Sequence, residues 1–163
     1  MKISERMEKA LNDQFNAENA SAYLYASMAA WLEAQDLSGC AHWMKEQAKE
    51  ETEHAEKIYE YVYSRGGKIV YSAIEAPKAE WNKVVEVFED VLAHEEEVTA
   101  MIYSLVALAD EIKDYSTKNM LGWFLSEQVE EEDSANDVLA KFKLLGSSGI
   151  ALSHIDKDLA ERE

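Results

Sequence analysis

Four glutamates interrupt four strips of residues that would otherwise be apolar. At alternating spacings of three and four, one strip reads Leu11, Phe15, Glu18, Ala22, Tyr25, Ala29, Leu32, and a second reads Ala41, Met44, Ala48, Glu51, Ala55, Ile58, Val62. A third reads Trp81, Val84, Phe88, Val91, Glu95, Val98, Ile102, Leu105, Ala109, and a fourth reads Leu121, Phe124, Gln128, Glu131, Ala135, Val138, Phe142, Leu145. His54 falls one helical turn after Glu51, and Gln128 one turn before Glu131, on the same faces.

A carboxylate taken out of water without a partner is costly even after its surroundings relax. No Lys or Arg stands on any of the four strips, so the compensating cation must come from outside. An oxygen-rich set with a single imidazole suits Fe(II), Mn(II) or Zn(II) better than copper or a sulfur-seeking metal. Four carboxylates are enough to hold two divalent ions, with Glu51 and Glu131 as the candidate bridges.

These side chains meet only if four helices carry them to one level. Glycine and proline break helices, and here they fall at Gly39, Gly66, Gly67, Pro77, Gly122, Gly146 and Gly149. The stretches between them predict helices at about 4–35, 40–65, 78–111 and 115–145, with a short fifth helix at about 150–160 and Gly122 tolerated inside the fourth. Ser4, Ser38 and Asp114 suit helix starts, Gly66 a helix end, and Pro77 the first turn of the third helix. No segment alternates with period two long enough to suggest a sheet.

The short first and third joints force antiparallel neighbours. Residues 66–77, extended at about 3.3 Å each, reach roughly 40 Å, the length of a 26-residue helix. The second joint can therefore run the full height of the bundle and make the second and third helices parallel. The expected fold is all-α, a four-helix bundle with one long crossover and a short fifth helix, filling residues 1–163 as one domain.

Composition narrows the function. The chain has 163 residues, with 16 Lys plus Arg against 33 Asp plus Glu, giving a net charge of −17. That balance argues against nucleic-acid and anionic-membrane partners and favours cations. The opening MKISERMEKALND lacks the apolar core of a signal peptide, and the longest apolar-rich stretch, 101–109, is far short of the roughly 20 residues of a membrane span, so a cytoplasmic location is expected. Cys40 is the only cysteine, which precludes an intramolecular disulfide and reads as a small buried hydrophobe.

Taken together, ISERMEKALNDQ, AHWMKEQAKEETEHA, RGG, EQVEEE and the closing IDKDLAERE resemble the non-haem ferritins of bacteria and archaea over essentially the whole chain. The ferritin-like di-iron template has single glutamates on two helices and Glu-x-x-His on the other two. Glu18, Glu95 and Glu51-x-x-His54 fit it, while Gln128-x-x-Glu131 replaces the second Glu-x-x-His, which looks like ferritin and unlike bacterioferritin or rubrerythrin.

The resemblance implies iron storage in a homo-oligomeric shell of 24 subunits, with Fe(II) oxidised by dioxygen or peroxide. One iron would be held by Glu18, Glu51 and His54. The other would be held by Glu51, Glu95 and Glu131, with Gln128 a hydrogen-bonding neighbour. Glu50, Glu127 and Glu130 map onto a third iron site shared with Glu131, and Tyr25 onto a tyrosine beside the pair, with Trp123 nearby. Glu46, Glu50 and Glu53 would line the mineral cavity. Haem is not expected, because Thr52 occupies the place of the haem-binding methionine of bacterioferritin. The fifth helix would dock at a subunit junction, with folding back on its own bundle as the alternative. A small di-iron peroxidase and a passive metal-binding bundle are the two other readings of the same residues.

Overall fold

The computed structural model describes residues 2–146 and 148–162. Its helices are α1 (Glu5–Ala34), α2 (Ser38–Ser64), α3 (Val84–Glu111), α4 (Tyr115–Leu145) and α5 (Gly149–Leu159), with no strand among the described residues. Ser4 caps α1 by accepting from the Met7 amide, and Asp114 caps α4 by accepting from the Thr117 amide. Ser38 is itself helical; Leu37 stands at the cap position of α2 without a side-chain bond. The two short turns each pass through one left-handed residue, Asp36 at φ 59° and Lys113 at φ 58°.

Two apolar clusters fill the bundle, one above and one below the level of the four glutamates. Tyr25, Leu32, Met44, Phe88, Val91, Ala135 and Phe142 belong to one; Leu11, Phe15, Ala55, Val62, Val98, Ile102, Leu121 and Phe124 belong to the other. Following the chain through them gives the topology. Helices α1 and α4 run from the second cluster to the first, and α2 and α3 from the first to the second, so α2 and α3 are parallel, as the reach of the crossover allows. Fully burying each large apolar side chain contributes about 1.5–3 kcal/mol, which is what holds the intervening polar layer in place.

The crossover, residues 65–83, is held extended by α1. Asn12 donates to the Lys68 carbonyl (2.8 Å) and accepts from the Val70 amide (2.7 Å); Asn16 donates to the Val70 carbonyl (2.9 Å) and accepts from the Ser72 amide (2.8 Å). Two asparagines one turn apart thus offer an extended segment the pairing a neighbouring strand would give. Gly66, at φ +70°, makes the turn from α2 into this segment.

The third helix starts at Val84, not near 78, so Pro77 lies in the crossover and not in a first helical turn. Trp81 ends the extended crossover, buried against Trp31 with its Nε1 donating to Asp90 (2.6 Å), and Glu86 reaches back to accept from the Asn82 amide (3.1 Å). Lys83 remains extended at φ −141° and ψ 147°. The apolar spacing runs on to Trp81, while the backbone there is fixed by these side-chain anchors.

The fifth helix folds back on its own bundle, chiefly against α2, burying Ala151, Ile155 and Leu159. The Cys40 amide donates to Asp156 (2.8 Å), and a Cβ at Gly39 would lie 1.8 Å from the Asp156 carbonyl oxygen, so the approach needs glycine. Cys40 is buried as expected, and burial followed by the Asp156 charge pushes its thiol pKa up. Leu144 and Ile150 are 84% and 87% exposed, leaving apolar surface at the joint between α4 and α5.

Candidate metal centre

Between the apolar clusters, the strips deliver Glu18 from α1, Glu51 and His54 from α2, Glu95 from α3, and Gln128 and Glu131 from α4, all of them 6% exposed or less. Glu18, Glu51 and His54 each offer a ligand atom within 4.8 Å of the other two, the one such group of three among the described residues. His54 Nδ1 lies 3.6 Å from Glu51 Oε2. Glu18 Oε2 and Glu51 Oε2 are buried without a hydrogen-bond partner. Unpartnered carboxyl oxygens beside an imidazole are, once ionised, the donor set a hard divalent cation completes.

Glu95 and Glu131 are held differently. The Tyr25 phenol donates to Glu95 Oε1, and Gln128 Nε2 donates to Glu95 Oε2 (3.2 Å). Gln47 Nε2 donates to Glu131 Oε2 (2.8 Å). Gln128 and Tyr25 thus both meet Glu95 within the polar layer.

Loss of hydration dominates the electrostatics. Burial, and next the Glu51 charge, raises Glu18 well above the usual carboxylate range; burial, and next the Glu95 charge, does the same to Glu51. Glu95 is raised by burial against the opposing bonds from Tyr25 and Gln128. Burial, followed by the Glu95 charge, lifts Glu131 to about 7. The Tyr25 phenol is also raised well above its ordinary value, chiefly by burial and then by Glu95, so it remains a proton donor. Burial thus favours the protonated form of each of these carboxyls, and a divalent cation bound there would have to displace the protons.

The expected third set is looser. Glu50 pairs with Arg162 at 2.5 Å, and that guanidinium also lies 4.5 Å over the Trp43 ring and donates to the Trp43 carbonyl. Glu127 is half-buried and raised, first by burial, whereas Glu130 is exposed. Glu46 is half-buried beside Lys49, and Glu53 is exposed. Trp123, 37% exposed, sets its ring edge-on to His54 at 5.4 Å and takes Lys57 on its face at 4.1 Å.

The remaining histidines do not join the centre. His94 pairs with the Ser21 hydroxyl (2.8 Å) and packs edge-on to Tyr25, His42 bonds the Arg162 carbonyl (2.8 Å), and His154 is exposed. Gln14 and Gln47 were not evident from the strips. Gln14 sits one turn before Glu18 and donates to its Oε1 (2.8 Å). The available signal was an uncharged amide four residues before each of two buried glutamates, at the edge of an apolar face.

Comparison with known proteins places the chain in a family. The sequence pattern of the ferritin-like domain matches residues 8–145. The bacterial non-heme ferritin of Staphylococcus epidermidis is 40% identical over 160 residues, covering 98% of this chain and 96% of that protein, and the Staphylococcus aureus protein is 39% identical over the same span. Among solved structures, the open-pore ferritin of the hyperthermophilic archaeon Archaeoglobus fulgidus superposes with a TM-score of 0.97 at 45% identity, covering 99% of this chain and 98% of that one. An engineered closed form of the same protein matches equally well.

Proposed function

The chain belongs to the ferritin family, and from that premise we infer that it is an iron-storage protein and a ferroxidase, oxidising Fe(II) to Fe(III) with dioxygen and retaining the ferric product. The observation that carries this reading at the level of residues is the convergence of Glu18, Glu51 and His54, with two carboxylate oxygens left without partners. Those donors fit iron: the carboxylate oxygens are hard and, once ionised, their negative charge favours Fe(III) over Fe(II), while the imidazole suits a first-row divalent ion.

We assign two irons to the centre. Glu18, Glu51 and His54 hold the first, and Glu95 and Glu131 hold the second with Glu51 shared between them. Tyr25 and Gln128 keep Glu95 oriented by hydrogen bonds. The protein's own part in the chemistry is to place two Fe(II) ions side by side, so that each gives up one electron to the same oxidant, and to release the protons its carboxyl groups carry beforehand. Glu50, Glu127 and Glu130 form a third, weaker iron site, and Glu46, Glu50 and Glu53 belong to the surface on which mineral forms.

The similarity to ferritin structures supports assembly as a homo-oligomer, and we propose a hollow shell of 24 subunits. Exposed Leu144 and Ile150, with Val70 and Tyr71 on the crossover, supply apolar surface for subunit contacts. Among the described residues no helix is long and apolar enough to cross a membrane. From the likeness to bacterial ferritins we propose a cytoplasmic location.

Stopped-flow oxidation of Fe(II) by Glu51→Ala and His54→Ala tests the assignment, since the first is expected to touch both irons and the second is the only imidazole of the centre. Both should lose the fast phase by at least tenfold. Wild-type initial rates in both would remove the site from these residues. Sizing after aerobic iron loading separates the shell from a monomeric or dimeric di-iron enzyme.

A further inference from the structure

Three buried carboxamides, on three different helices, each bind one oxygen of a proposed ligand carboxylate. Gln128 was expected from the sequence. The other two, Gln14 and Gln47, are 2% and 0% exposed and have no part in the apolar strips. Gln14 holds Glu18 through Oε1, and Glu18 Oε2 is the oxygen left without a partner. Gln47 reaches from α2 across to α4 and holds Glu131 through Oε2, while its own Oε1 is buried without a partner.

An amide suits this task for a physical reason. A carboxylate with both oxygens free can rotate or chelate through either, whereas one with an oxygen tied presents the other in a fixed direction. Lys or Arg would fix the direction too but would also cancel the charge that attracts iron. A neutral donor orients the carboxylate and leaves the charge to the metal. Gln14 acts within α1 on a carboxylate of the Glu18, Glu51 and His54 group, and Gln47 acts across the bundle on Glu131.

We propose that Gln14 and Gln47 are positioning residues for the two metal ions, Gln14 for the ion held with His54 and Gln47 for the ion held by Glu95 and Glu131. The proposal rests on the two-iron reading given above and adds to it a division of labour between the amides.

Co(II), which stays divalent in the assay and reports its ligand geometry through its d–d absorption, is the probe. Full-length apo-protein is titrated anaerobically by calorimetry and absorbance, with wild type, Gln14→Met and Gln47→Met compared. Wild type should take up two tight equivalents per chain. Gln47→Met should weaken the second equivalent roughly 10- to 100-fold and alter its d–d bands while leaving the first within threefold; Gln14→Met should do the reverse. Gln47→Asn keeps a buried amide but withdraws it by one methylene, and should behave like Gln47→Met, which covers the case in which the thioether does not fold.

Two tight equivalents in wild type with an unchanged second equivalent in the Gln47 variants would overturn the positioning role alone. Equal weakening of both equivalents by either amide variant would also overturn it, because general loosening of the bundle has no preference between the ions. Fewer than two equivalents in wild type would overturn the two-iron reading itself and the division of labour with it.

Discussion

Tyr25 on α1 donates its phenol to Glu95 on α3, joining helices that are 70 positions apart at this point in the chain. The bond runs through the polar layer, where Glu95 also accepts from Gln128. Glu95 thus has a donor on each oxygen, unlike Glu18 and Glu51, which each keep one oxygen bare.

Tyr25→Phe keeps the ring's packing and removes one donor from a buried carboxylate. An unsatisfied buried acceptor costs about 1–3 kcal/mol, so urea denaturation of the apo-protein should show a loss of that size. Fe(II) oxidation should slow several-fold as Glu95 loses its fixed orientation. Unchanged stability and unchanged rate together would reduce the phenol to packing.

The fold and the centre were legible in the sequence to different depths. Glu18, Glu51, Glu95 and Glu131 announced themselves because each breaks an otherwise apolar strip, and a period of 3.6 is enough to place such a residue on a buried face. The crossover was long enough to permit a full-height connection, and its reach made parallel second and third helices the expected arrangement. Trp81 misled because apolar spacing reports which face is buried and not whether the backbone is helical; here a side-chain bond to Asp90 fixes an extended end. Gln47 escaped because its partner, Glu131, lies 84 positions away on a helix that only the assembled bundle brings near. The same holds for Arg162 and Glu50, which meet only once α5 has turned back onto α2.

The apo-bundle should become less stable as pH rises from about 5 to about 8. A carboxyl group whose pKa is raised on folding binds its proton more tightly in the folded state, so stability is full at low pH and is lost as pH climbs toward the folded pKa. For Glu131 the rise is from 4.5 to about 7, and at about 1.4 kcal/mol per unit this one group accounts for about 3 kcal/mol across that window. Glu18, Glu51 and Glu95 shift in the same direction. Asp114, lowered beside Arg65, works oppositely but only below the ordinary aspartate range, and His94, lowered by burial, opposes the trend within the window as one group against four. Calorimetric melting of apo-protein at pH 5.5 and 8 should give the higher Tm at pH 5.5. Saturating Co(II) should reverse the order, because metal binding needs the carboxylates ionised. A Tm of the apo-protein that rises with pH would contradict the burial of protonated carboxyl groups.

Joint replacement of Glu50, Glu127 and Glu130 by Ala should spare the first fast phase of Fe(II) oxidation and change later turnover and the iron-to-oxygen ratio. The three lie outside the Glu18, Glu51 and His54 group, so the paired ions retain their ligands. Arg162→Ala should act in the opposite sense, since it releases Glu50 from a contact of 2.5 Å and leaves its carboxylate available to a third ion. Anaerobic Fe(II) titration of both variants reads the third equivalent directly. Complete loss of the fast phase in the triple variant would mean that these carboxylates belong to the pair.

Gly39→Ala should detach α5 without damaging the four main helices. Its Cβ would lie 1.8 Å from the Asp156 carbonyl oxygen, which is backbone and cannot swing aside, so the fifth helix must shift bodily. Within α2 itself alanine is the better helix former by about 1 kcal/mol, so local helix stability offers no competing reason for loss. What goes is the Cys40 amide bond to Asp156 and the burial of Ile155 and Leu159, each worth about 1.5–3 kcal/mol when complete. An 11-residue helix does not persist alone in water, so the segment should become protease-sensitive near Gly146 and Gly149. Deletion of residues 147–163 should give the same lowered Tm with a folded four-helix bundle. Because Ile150 and Leu144 present apolar surface beside the same helix, both variants should also shift the sizing profile toward smaller species or retain less iron per particle. Protease resistance and iron capacity equal to wild type in Gly39→Ala would show that α5 is held by contacts other than its docking on α2.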